Sequence, residues 1–185
     1  VMFGAFTRLT DSGLGCPDWP GCYGNASPIG AHAAIAAAQS SMPTGPVTSG
    51  KAWVEMIHRY LATSVGVLIL VLTVVAWLGR SAGGRNMQVR PISPWWPTLT
   101  LFWVCIQGVF GALTVTMKLF PAIVTLHLLG GLVLLALLCV QVVQFAQLEG
   151  KVAPITLSPG LRWLLGLSFV LLVLQAALGA WVSTN

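Results

Sequence analysis

Four long apolar segments dominate the pattern of hydrophobic and polar positions along the chain. They are Val54–Leu78, Trp95–Thr116, Ala122–Ala146 and Leu161–Val182. Each is long enough to cross a hydrocarbon core of roughly 30 Å as a helix. They are unbroken rather than alternating, so they predict helices and not barrel strands. Residues 1–9 are interpreted as the end of a further helix. We therefore predict an all-α integral membrane protein built as a transmembrane four-helix bundle.

Composition indicates a lipid rather than an aqueous environment. Hydrophobic residues make up 56% of the 185 positions and charged residues only 7%, whereas soluble domains carry about 25% charged residues. The net charge of +5 is explained by the segments between the helices, so nothing indicates nucleic acid as a partner. Membrane lipid is the expected surrounding of the chain.

Basic residues between the helices indicate the orientation in the membrane. The segment Gly79–Pro94 contains Arg80, Arg85 and Arg90 and no acidic residue, and such segments favour the cytoplasmic side. Residues 10–53 then form a long extracytoplasmic first loop. Loops of this length in a compact bundle are usually functional. An Ala-rich stretch at 31–39 predicts a short helix within it.

Two histidines lie at matched depth near the outer ends of parallel segments. At 1.5 Å per residue, His58 lies about 7 Å and His127 about 9 Å below the outer helix ends. An ionisable side chain in a membrane segment usually marks a functional site, and two imidazoles can hold a haem iron between them. Gly130 and Gly131 are expected to leave room for the flat macrocycle. The alternative is that each imidazole hydrogen-bonds a backbone carbonyl.

Three further ionisable residues near these histidines each have two interpretations. Glu55, one turn before His58, either accepts a proton beside a bound substrate or occupies a first-turn position that the helix dipole favours. Arg59 and Arg8 either pair with haem propionates or extend toward lipid head groups. Glu55 is the candidate catalytic residue, and the two arginines are candidate cofactor-binding residues.

Cys16 and Cys22 form a second candidate constellation, in the outer loop. Two prolines and a glycine separate them, so the chain can fold back and bring the sulfurs together on a side where disulfides persist. The pair is either a structural staple or a reversible thiol pair in an exposed loop. Cys105 and Cys139 fall within apolar segments, and we expect them to be inert packing residues.

A short pattern recurs at three outer helix ends: Gly4–Thr7, Gly111–Thr114 and Gly179–Val182. Gln107 and Gln175 precede the last two glycines by four residues. Small residues at such positions allow close helix approach, and the repetition indicates duplicated helix pairs about a pseudo-symmetry axis. We expect the chain to be part of a longer protein, with a second copy of this half beyond it.

The motifs at residues 7–22, 55–59, 125–127 and 179–185 resemble the bacterial haem A synthase family over the whole chain. The resemblance implies the N-terminal half of an eight-helix membrane protein with two pseudo-symmetric four-helix halves. It implies oxidation of the C8 methyl group of haem O to the formyl group of haem A, for terminal oxidases. His58 and His127 are implied to hold the substrate porphyrin, Glu55 to act in catalysis, and Cys16 and Cys22 to serve electron or thiol transfer.

The same resemblance implies further cofactors and partners. Haem b would be held by a second histidine pair beyond Asn185, so this chain alone is not expected to turn over. Expected partners are haem O, a haem O synthase, an electron acceptor and a second copy of the protein. The expected location is the bacterial inner membrane, with the 10–53 loop in the periplasm. The alternative function is a b-type cytochrome subunit that transfers electrons through a bis-histidine haem.

Overall fold

The computed structural model describes residues 1–82, 93–153 and 155–184. Within these ranges the chain forms six helices and no strand. They are α1 (Met2–Leu9), α2 (His32–Ser41), α3 (Ser49–Ala82), α4 (Trp95–Thr116), α5 (Pro121–Leu148) and α6 (Pro159–Thr184). The last four are long and apolar enough to cross a membrane, which confirms the predicted all-α membrane fold. Most of the predicted cytoplasmic segment, with Arg85 and Arg90, lies outside the described residues.

Local sequence explains where two of the spanning helices begin. The Thr48 hydroxyl accepts a hydrogen bond from the backbone N–H of Lys51 at 3.2 Å, which satisfies a free donor in the first turn of α3. As a result α3 starts at Ser49, before the predicted Val54, and extends above the apolar run. Helix α5 starts with Pro121, whose fixed φ suits a first helical position and whose missing N–H costs nothing there.

The long helices pack in chain order, with α4 between α3 and α5, α6 against α5, and α1 against the outer part of α3. Polar side chains join them inside the bundle. Thr73 donates to the carbonyl of Pro97 at 3.1 Å, and Gln141 donates to the Thr100 hydroxyl at 2.6 Å. Such interhelical hydrogen bonds hold membrane helices together where lipid removes the hydrophobic drive for association.

The outward faces of these helices carry exposed Leu, Val, Phe and Trp side chains along their length, as expected for surfaces that contact lipid. Cys105 and Cys139 are free thiols on these faces and are exposed from the bundle. The expectation that they are packing residues of the bundle is therefore wrong, and their inertness stays a prediction. Nearly every position of α4 and α5 is apolar, so the hydrophobic periodicity of these helices is weak. The sequence pattern therefore does not distinguish lipid-facing from interior positions.

Residues 10–48 fold into a small outer cap above α3. Its core comprises Cys16, Cys22, Ala31 and Ile35, packed against Ala52 and Met56 of α3. The predicted short helix is α2, which supplies Ile35 to this core. The cap backbone lies directly on α3 at Gly15, where an added Cβ would meet the backbone nitrogen of Ala52 at 2.6 Å. A residue without a side chain is therefore required at this crossing.

Replacing Gly15 is expected to loosen the cap. In Gly15→Ala the new Cβ cannot avoid backbone atoms of α3, so we expect a loss of about 1–3 kcal/mol, as for overpacked cores. Thermal unfolding of the purified protein in detergent measures the effect. Gly66→Ala is the control, because that helical glycine of α3 has open space around it. Equal melting temperatures for the two variants would contradict the crossing described above.

Candidate porphyrin site at the outer end of the bundle

Each of the two predicted ligand histidines rests against a glycine of a neighbouring helix. The imidazole of His58 on α3 lies over Gly4 of α1, with 3.2 Å between its Cε1 and the position of an added Cβ. The imidazole of His127 on α5 lies over Gly111 of α4, with 3.4 Å for the same measure. Phe3 stacks on the His58 ring at a centroid distance of 6.2 Å. The two rings are thus held in the same way on successive helix pairs.

The recurring Gly-Ala pattern therefore has a specific role beyond general helix approach. Gly4 and Gly111 are its first two members, and both leave room for an imidazole. From sequence alone the repeat predicted close helix approach and duplicated helix pairs, but no contact with the histidines. The repeat itself could have indicated this contact, because each histidine-bearing helix packs against a helix that carries one of the repeated glycines.

The surroundings of the His127 imidazole are compatible with a metal ligand and with a structural histidine. Its Nδ1 is buried without a hydrogen-bond partner among the described residues, although the carbonyl of Gln107 lies near the ring. A contact with the Gln107 backbone carbonyl agrees with the alternative in which a backbone carbonyl satisfies the imidazole. His58 and His127 are both partly buried.

A bare metal ion would need more ligands than this site provides. Across residues 1–82, 93–153 and 155–184, no group of three or more His, Cys, Asp or Glu side chains is placed to hold one. Two imidazoles suffice for an iron whose other four ligands are porphyrin nitrogens. The residues present therefore fit a haem iron, which His58 and His127 would hold through their ring nitrogens.

One detail of the expected porphyrin space is wrong. Gly130, together with Gly131, was expected to leave room for the macrocycle, but the volume beside Gly130 is filled by the side-chain amide of Gln107. Beside Gly131 only the Val1 side chain comes within reach of an added Cβ, at 3.9 Å, so the expectation for Gly131 is not contradicted. The Gly130 carbonyl also accepts a hydrogen bond from the indole N–H of Trp103 at 2.9 Å. These two α4 side chains were not predicted to lie there, because residues on different helices are brought together only by the packing of α4 on α5.

Glu55 and Arg59 form a buried ion pair that holds the outer cap. The Glu55 residue is 3% exposed; one carboxylate oxygen accepts from the backbone N–H of Cys16 at 2.9 Å, and the other pairs with Arg59. The Arg59 guanidinium also donates to the carbonyls of Asp18, at 2.8 Å, and Gly21. Each charge is thus compensated, as burial demands.

These contacts restrict the roles considered for the charged residues. In this structure Arg59 extends neither to solvent nor toward head groups, because its donors bind Glu55 and the cap. Arg8 of α1 donates to the carbonyl of Ser183 near the end of α6, and its Nε is buried without a partner among the described residues. Binding of a propionate by either arginine stays a prediction.

Cys16 and Cys22 form a disulfide, and both residues are fully buried at 0% exposure. Burial of both sulfurs against α3 favours the structural staple, since exchange requires a thiolate to reach a sulfur atom. The seven-residue ring that the disulfide closes presents the carbonyls that bind Arg59. The Asp18 carboxylate closes the following turn by accepting from the N–H groups of Tyr23 and Gly24, at 2.6 and 2.7 Å.

The fold and this site define a class: a multi-pass membrane protein with paired histidines at one end of a helical bundle and a disulfide-stapled cap above them. The chain belongs to the cytochrome oxidase assembly protein family (COX15-CtaA), which matches residues 1–185. It is similar to the heme A synthase of Shewanella oneidensis, with 37% identity over 185 residues, all of this chain and 53% of that protein.

Two further relatives agree with this family. The heme A synthase of Lysinibacillus sphaericus is 31% identical over 147 residues, which cover 80% of this chain and 40% of that protein. That of Halalkalibacterium halodurans is 27% identical over 128 residues, covering 69% and 35%. The chain thus spans about half the length, or less, of these curated relatives. No solved structure matches it.

Removing the disulfide is expected to reduce stability. A cross-link that closes so short a ring contributes about 2 kcal/mol by restricting the unfolded chain, so a variant with Cys16→Ser and Cys22→Ser should melt at a lower temperature in detergent. The matched control carries Cys105→Ser and Cys139→Ser, which change two exposed thiols. An unchanged melting temperature for the Cys16 and Cys22 variant would contradict a role as a staple.

Filling the space at Gly111 is expected to displace the His127 ring. In Gly111→Val the added methyl groups meet Cε1 of the imidazole, so the absorbance and electron paramagnetic resonance of porphyrin bound to the full-length protein should change. Gly108→Val is the control, since its surroundings on α4 are open. If both variants keep the wild-type spectra, His127 does not hold an iron in the position described.

Proposed function

We propose that this chain is the substrate-binding half of a haem A synthase, in which His58 and His127 hold the iron of haem O. The observation that carries the proposal is the matched seating of two imidazoles on Gly4 and Gly111, with a buried, unpartnered nitrogen on His127. Membership of the family and similarity to three heme A synthases support the same activity. The chain alone spans only part of those relatives, so the activity is proposed for the whole protein.

The proposed reaction converts a methyl group on the porphyrin to a formyl group. With water as the oxygen source, this removes four electrons and releases four protons, so the protein must transfer both away from the reacting carbon. Electrons would pass to haem b in the other half of the protein or to a separate one-electron acceptor. This chain contributes orientation through its two imidazoles and a carboxylate that can accept protons.

We propose Glu55 as the proton-accepting group. It lies on α3 one turn before His58, and it is a buried carboxylate at the outer end of the site. The same carboxylate anchors the cap through Cys16 and Arg59, so Glu55 would have to accept protons while it is paired with Arg59. Positioning of the cap and proton transfer are therefore two functions of one side chain, and a test has to separate them.

We also propose that the protein lies in the bacterial inner membrane with its cap in the periplasm. A disulfide in the cap fits an oxidising compartment, and Arg80 lies at the opposite end of α3, where the positive-inside bias favours the cytoplasm. The expected partners, a haem O synthase, an electron acceptor and a second copy of the protein, stay predictions.

The test uses variants of the full-length protein in cells that make haem O. Glu55→Gln keeps a similar shape but removes the base, so we expect bound porphyrin to persist while haem A formation falls about 10²-fold. His58→Ala and His127→Ala should lose the porphyrin of this half instead. Extracted porphyrins and the spectra of the purified proteins report the two effects.

Two controls make the outcome decisive. Glu149→Gln changes an exposed carboxylate that pairs with Lys151 at the other end of α5, and it should leave conversion unchanged. Melting temperature separates a loosened cap from a lost base in Glu55→Gln. Normal haem A production by a folded Glu55→Gln variant would exclude the catalytic role, and bound haem without any conversion in the wild type would favour the b-type cytochrome alternative.

A further inference from the structure

Most of the outer cap carries no formal charge. Residues 19–50 include no Asp, Glu, Lys or Arg, whereas about a quarter of the residues in a soluble domain are charged. The exposed side chains of this stretch include Trp19 at 48%, Ile29 at 74% and Met42 at 58%. An uncharged surface with large exposed apolar side chains indicates a contact with something other than bulk water.

The depth of the cap in the membrane follows from α3. Arg59 and Arg80 flank residues 60–79, a run without any charged side chain. At 1.5 Å per residue this run is about 30 Å long, which is the thickness of the hydrocarbon core. Helix α3 begins at Ser49, so its first turns stand above the core. Tyr60, the first residue of the uncharged run, therefore lies at the outer edge of the core.

Two contacts bring the cap down to this edge. The Tyr60 hydroxyl donates to the carbonyl of Ala26 at 2.6 Å, and the Arg59 guanidinium donates to the carbonyl of Asp18 at 2.8 Å. Helix side chains lean toward the N-terminus, here outward, so both carbonyls lie about one turn, or roughly 5 Å, above the edge. The interfacial region is about 5–7 Å deep on each side of a bilayer. Ala26 and Asp18 therefore lie at the level of lipid head groups.

The same contacts join the cap to the lipid-facing surface of the bundle. Tyr60 is 40% exposed and the adjacent Leu61 is 47% exposed, so this part of α3 contacts lipid. Ile29 follows Ala26 by three residues, and Trp19 follows Asp18 directly. The exposed apolar positions of the cap thus lie within three residues of backbone atoms held at the membrane surface. Trp is also enriched at this level of membrane proteins.

We propose that the cap rests in the outer leaflet, with the side chains of Ile29 and Trp19 among the glycerol and upper acyl groups of the lipids. Three observations favour lipid as the occupant: the missing charges, the depth given by Tyr60, and the continuity with the exposed face of α3. Apolar side chains bind the membrane interface through the apolar area that they bury there. The inference does not depend on porphyrin binding, and it adds a second lipid contact outside the spanning helices.

Spin labelling measures the depth of these positions. The full-length protein with Cys105→Ser and Cys139→Ser, and with no other free thiol, is labelled at Ile29→Cys and reconstituted in vesicles of phosphatidylethanolamine and phosphatidylglycerol. Collisions of the label with oxygen, which concentrates in hydrocarbon, are compared with collisions with a water-soluble nickel chelate. Trp19→Cys is the second labelling site and replaces Ile29→Cys if that variant does not fold.

Two reference labels calibrate the ratio of oxygen to nickel collisions. Ser49→Cys is exposed at the start of α3, above the core, and should give the low ratio of a position in water. Leu68→Cys replaces a side chain that is 67% exposed near the middle of the uncharged run, and should give the high ratio of the bilayer interior. We expect the label at residue 29 to give an intermediate ratio, several-fold above that at residue 49.

Two results would overturn the proposal. A ratio at residue 29 equal to that at residue 49 would mean that the cap faces water. Loss of collisions with both reagents would mean that protein covers this surface, for instance a second copy of the chain. Neither result would bear on the histidines, whose role in holding a porphyrin is tested separately by His58→Ala and His127→Ala.

Discussion

The ion pair between Glu55 and Arg59 connects the outer cap to the helix that carries His58. Both charges are buried, and each is stabilised by the cap: the Cys16 amide binds the carboxylate, and the Asp18 and Gly21 carbonyls bind the guanidinium. A buried pair is stable only when its remaining donors and acceptors are satisfied. The ion pair therefore depends on the cap for its remaining hydrogen bonds, and the cap is anchored to α3 by the ion pair. The disulfide closes the ring whose carbonyls bind Arg59.

Below this anchor, the candidate site is built from one packing motif used twice. A glycine on one helix leaves space for an imidazole on its neighbour, first between α1 and α3 and then between α4 and α5. Close approach is available only to residues without a side chain, so the glycines determine how deeply each ring enters the bundle. The duplication seats two imidazoles in the same way on two different helices, and under the proposed function these two would hold the porphyrin iron.

The membrane makes the unpartnered polar atoms of this bundle informative. In lipid, a polar group without a partner cannot be satisfied by bulk water, so the buried Nδ1 of His127 marks a position at which a bound group would supply the missing contact. Under the proposed function, the iron of the porphyrin would be the bound group at this position.

The sequence by itself determined the class of fold, because segments of twenty or more apolar residues have only one stable backbone arrangement in lipid, the helix. It also identified the two histidines by depth and the cysteine pair by spacing. Only the tertiary structure decided that Glu55 and Arg59 bind the cap, that Gln107 fills the space beside Gly130, and that the disulfide is buried. These contacts join residues far apart in the chain, 39 positions for Cys16 and Glu55, and no local pattern encodes them. They depend on which helix faces pack together, and in segments that are apolar on every side the sequence does not distinguish those faces.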